Sequence, residues 1–150
     1  MPSHANNCLA VLVIEALQST VADDIQTEAV VERYCAYRTA QGSWQGQDGA
    51  RALLRTFEDV GGCLQWAGKV GNYRRRYSAT SAPIAATAIE QVAEAFWAHR
   101  IDTIADFLEA IGNPITRTVL EGKFIVITGG ISAWERIVSL ATTRPVVPVF

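Results

Sequence analysis

Histidine is scarce: His4 and His99 are the only two in 150 residues. His4 lies in a polar N-terminal stretch, so a Ser–His or Cys–His nucleophile pair has one candidate base. No Gly-x-Ser-x-Gly elbow occurs, and no glycine-rich phosphate loop is followed by Lys-Ser/Thr. Gly42, Gly46 and Gly49 do not match a dinucleotide fingerprint. Cysteine is also sparse. Cys8, Cys35 and Cys63 are odd in number and widely spaced, which makes neither a disulfide framework nor a zinc-ligand set. Reduced thiols in a cytoplasmic protein are the expectation. Cys63 beside Gly61-Gly62 is a conceivable thiol nucleophile, but its place on an apolar helical stripe favours burial. Long apolar runs are missing as well. The longest, Cys8 to Ile14, stops at Glu15 and is too short to span a bilayer. It has no basic stretch before it and no small-residue cleavage site after it, so neither a membrane role nor a secretory signal is expected. The expectation is no cofactor, no metal ion and no enzyme motif.

What remains is apolar and nearly neutral. Hydrophobic residues make up 49% and the formal net charge is -2. That composition excludes intrinsic disorder and gives the whole chain no electrostatic case for nucleic acid. The length suits a single domain over residues 1–150, with terminal arms at 1–7 and 144–150.

The patterning is mainly helical. Residues 8–18 are apolar nearly all round, as in a buried helix or a short strand. Thr20 and Asp23 resemble a capping box for a helix over about 22–39 with Ile25, Val30, Tyr34 and Tyr37 as its stripe. Asp48 is placed to cap a helix carrying Leu53, Leu54, Phe57, Val60 and Leu64, which Gly61-Gly62 bends or ends. A long loop over 68–83 leads to Ser81 as cap of a helix over 83–99. Apolar spacing continues to Ile111, either as the same helix or after a break near Asp102. Gly112 and Asn113-Pro114 mark a stop. Ile115 to Leu120, a turn at Glu121-Gly122-Lys123, and Phe124 to Thr128 read as a β-hairpin. Ser132 and Glu135 form a capping box for a last helix over 133–142. Pro145 and Pro148 make the tail extended. The expected fold is mainly α (α+β): four to six helices, a small C-terminal β-hairpin and an extended C-terminal tail.

Three constellations carry functional weight. No acidic residue occurs between Asp59 and Glu90, and that segment holds Lys69, Arg74, Arg75 and Arg76, with Tyr73 and Tyr77 bracketing the arginines. Arginine forks match phosphate oxygens and aromatic faces stack on unpaired bases, so residues 69–77 are a candidate nucleic-acid or anion contact. The alternative is a solvated basic loop. His99, Asp102, Asp106 and Glu109 would share one face of an unbroken helix, although no second ligand helix is evident. Val146, Val147, Val149 and Phe150 make an apolar tail that must pack somewhere, on its own helices or on a neighbouring copy. Asp24, Glu28 and Glu32 share an acidic face that is either wet or meets a basic partner.

The segment FIVITGGISAWE, Phe124 to Glu135, resembles the stretch near the end of rhodanese domains, where a strand leads through a Gly-Gly turn into a short helix. The cysteine loop that such a domain carries upstream has no counterpart here, and the preceding α/β alternation is missing. The expected function is therefore a non-enzymatic subunit acting through self-association, as a homo-oligomer, or through a protein partner. The alternatives are a helical subunit of a nucleoprotein complex using residues 69–77, and a ligand-binding protein or small enzyme with a pocket near His99.

Overall fold

A computed structural model of the chain describes residues 7–42, 44–74 and 84–143. Among these residues the elements are all helical: α1 (Leu9–Gln18), α2 (Asp24–Ala40), α3 (Ala50–Val60), α4 (Cys63–Lys69), α5 (Ala85–Ala98), α6 (Ile104–Gly112), α7 (Pro114–Thr128) and α8 (Ser132–Thr143). A continuous hydrophobic cluster draws on all eight.

Helix α1 is the centre. Every residue from Leu9 to Gln18 is buried, including Glu15 and Gln18. A helix that is apolar all round has no wet face to offer, so α2, α3, α5 and α8 surround it. In α2 the buried positions are Thr27, Val30, Val31, Tyr34 and Cys35, an i, i+3, i+4, i+7, i+8 set. Ile25 lies outside that phase and is 81% exposed, which corrects the expected stripe. The N-cap is Asp23, whose carboxylate accepts the Gln26 N–H at 2.8 Å. Thr20 instead donates its hydroxyl to the Leu17 carbonyl at the end of α1.

Helix α3 buries Leu53 and Phe57 as expected. The Phe57 ring stacks on Trp66 with centroids 4.6 Å apart, and the Trp66 indole N–H donates to Thr56 Oγ1 at 3.0 Å. Gly61 and Gly62 take positive φ values of 103° and 128°, end α3 and restart the phase in α4. Leu64 is thereby turned out to 61% exposure, against expectation, and Trp66 and Ala67 are turned in. Asp48 does not cap α3. The cap position is Gly49, and the acceptor for the Arg51 N–H is Asp102 Oδ1 at 2.9 Å, from the far side of the sequence. Gly49 has no room for a Cβ, because the Asp102 carbonyl oxygen lies where it would stand.

Residues 99–103 separate α5 from α6. Arg100 has φ 58°, and the Arg100 and Ile101 N–H groups donate to the Trp97 and Phe96 carbonyls. This is a Schellman end with arginine where glycine is usual. Thr103 and Asp106 then form a reciprocal capping box. The stripe His99, Asp102, Asp106, Glu109 therefore does not lie on one helix. Two of its carboxylates are committed to backbone N–H groups, Asp102 to Arg51 and Asp106 to Asp102 and Thr103.

The expected β-hairpin over residues 115–128 is absent: this stretch is the single helix α7. Its β-branched residues favour strand locally, but the termini and the packing override that preference. Asn113 accepts the Ile115 and Thr116 N–H groups, Pro114 occupies the first turn, and Gly129 closes the end with φ 82°. Leu120 and Phe124, one turn apart, are buried. Phe124 meets Phe96 of α5 and Trp134 of α8, and Phe107 of α6 completes the aromatic cluster.

Candidate interaction surface

Among the described residues, exposed large apolar side chains concentrate in one region. Of eight that are exposed among the described residues, four lie on α7: Ile115 (77%), Val119 (42%), Ile125 (40%) and Val126 (83%). Ile131, just beyond its end, is a fifth. At about 100° per residue, Ile115, Val119, Gly122 and Val126 form one stripe, on the side of α7 opposite Leu120 and Phe124. The helix is thus apolar on both sides, and α5 and α8 cover only one of them.

Val119, Gly122 and Val126 of the stripe line an open groove of about 900 Å³ between α5 and α7. Small residues shape it: Ala95 and Ala98 from α5 and Gly122 from α7. A Cβ at Gly122 would meet nothing within 4 Å. Glu94 and Lys123 stand on opposite walls as its two charged residues. One turn before Glu94, the Glu90 carboxyl is held above the ordinary value, first by partial burial and second by the Glu94 charge.

The sequence-derived candidates fall elsewhere. Lys69 ends α4 with its ammonium 5.7 Å from the Tyr37 ring centroid. Tyr73 is 60% exposed, and Arg74 is exposed with its carbonyl accepting the Ala85 N–H at 2.9 Å. Arg33, not singled out from the sequence, ties this segment to α2 by donating to the Val70 and Gly71 carbonyls at 2.8 and 2.9 Å. Arg75, Arg76 and Tyr77 lie outside the described residues, as do Val146, Val147, Val149 and Phe150. Cys63 is half-buried with its sulfur 3.2 Å from the Thr87 hydroxyl.

The sequence conceals the α7 stripe because its β-branched residues favour strand. The signal that exposes it is terminal: Asn113-Pro114 before the segment and Gly129-Gly130 after it are helix start and stop marks. Among the described residues no helix is long and apolar enough to cross a membrane, and no group of three His, Cys, Asp or Glu side chains is arranged to hold a metal ion.

Comparison with curated proteins and with solved structures finds no match. A family model does match, over residues 1–141, and the chain accordingly belongs to the family described as Domain of unknown function (DUF8548).

Proposed function

We propose that this protein is a non-enzymatic subunit that self-associates, a second copy laying its α7 stripe into the α5–α7 groove. The observation that carries the reading is the row Ile115, Val119, Val126 left in water on an ordered helix, beside a groove floored by alanine and glycine. A solvated apolar patch of this kind marks an association surface. The groove is also chemically self-complementary. In a two-fold pair each surface meets its own copy, so Glu94 of one copy finds Lys123 of the other twice. Small residues at the floor let helices approach closely while Val119 and Val126 supply the knobs.

The double variant Val119→Asp, Val126→Asp tests this. Light scattering over a range of concentrations should give a multiple of the chain mass for wild type and a single chain mass for the variant, with helical circular dichroism retained. A wild type that stays monomeric at high concentration, or a variant that keeps its oligomeric mass, refutes the proposal.

A further inference from the structure

A second cavity lies away from the α5–α7 groove, between the C-terminal half of α2, the first turns of α3 and the loop before α6, with a volume of about 600 Å³. It is polar, and three arginines line it, Arg38 from α2 and Arg51 and Arg55 one turn apart on α3, together with Asp48, Asp59 and Asp102. We infer that this cleft is a binding site for a small phosphate-bearing molecule.

The first ground is that one arginine is built in. Asp48 is buried, and its carboxylate takes Arg38 Nε at 2.6 Å and Nη2 at 3.2 Å, a two-pronged pair. The Tyr34 hydroxyl donates to the same carboxylate at 2.7 Å, and the third arginine nitrogen, Nη1, donates to Gln41. A buried ion pair contributes little net stability, so its main effect here is geometric. It holds the Arg38 guanidinium rigid at the cleft wall with N–H groups still free, and a fixed fork binds a phosphate without first losing rotamer freedom.

The second ground is two further guanidinium groups that no carboxylate pairs among the described residues. Asp48 is paired with Arg38 and takes the Tyr34 hydroxyl, while Asp102 accepts the neutral Arg51 N–H and Asp59 makes a long 3.4 Å contact with Gln41. Arg51 is braced 5.5 Å over the Trp97 ring, and Arg55 has no hydrogen-bond or ion-pair partner among the described residues. A ligand with several anionic oxygens satisfies Arg38, Arg51 and Arg55 together. The cleft has the size of a small-molecule site.

Sodium pyrophosphate titrated into the full chain by calorimetry, at ionic strength matched with sodium chloride, should bind saturably with one site per chain. Arg55→Gln and Arg51→Gln should each weaken that binding by about tenfold or more, one lost charged contact being of that order. Arg117→Gln, on exposed α7, should leave it unchanged. Circular dichroism checks that each variant folds. Absence of saturable binding, equal binding by the Arg55 variant, or equal weakening by the Arg117 variant overturns the site. So does Arg55-dependent binding of a single-stranded oligonucleotide that pyrophosphate fails to displace.

Discussion

Asp48 and its neighbours show how burial governs the chemistry of single residues. Tyr34 is fully buried with its hydroxyl on the Asp48 carboxylate, and its ionisation is pushed up by burial first and by the Asp48 charge second. The Cys8 thiol is pushed up to about 12, chiefly by burial, with Asp48 and Cys35 adding to the effect. Both groups are neutral when protonated, and the folded state holds the proton more tightly than the unfolded chain does. Their contribution to stability is thus whole below the unfolded values and is lost as pH rises through the folded ones. Urea midpoints should fall steadily between pH values of about 9 and about 12, the span from the ordinary cysteine value to that of Cys8. Cys8→Ala should give a shallower decline over that range. A midpoint independent of pH, or an unchanged slope in the variant, contradicts this account.

At the scale of elements, α3 and α7 mark what the sequence reveals and what it hides. Leu53 and Phe57 were legible in α3 because helical spacing and burial coincide there. The α3 cap was not, since the carboxylate that serves the Arg51 N–H comes from Asp102, 51 positions along the chain. Local spacing places Asp48 at that cap, but its carboxylate holds Arg38 and Tyr34 instead. In α7 the β-branched residues favour strands, and the Asn113-Pro114 and Gly129 termini together with the contacts of Phe124 with α5 and α8 explain the helix. The basic segment was legible as charge, yet the arginine cleft was not, because its members are gathered from α2 and α3 by folding. Gly122 offers a direct check on the helical assignment. It is exposed in mid-helix with open space for a Cβ, so Gly122→Ala should stabilise the folded chain by ~1 kcal/mol. In a hairpin turn the same change would destabilise, so the sign of the shift in thermal midpoint decides.

For the whole molecule, the question is which surfaces join copies together. The α7 stripe is one proposed contact, and the apolar tail with Val146, Val147, Val149 and Phe150 is a second candidate, carried by sequence alone. Deleting residues 144–150 separates them. If α7 suffices, the truncated chain keeps its oligomeric mass in light scattering. If an exchanged arm is needed, the mass falls to a single chain while helical circular dichroism persists.

The burial of α1 on every side has a consequence for biosynthesis. This helix is made before the other seven described, yet one of the helices that enclose it, α8, is made after all of them. Until α8 has been made, a segment with scarcely a polar side chain waits without its full enclosure, and such segments are where nascent chains aggregate. Chains that lack α8 should therefore aggregate more readily on refolding than the full chain, as light scattering would show.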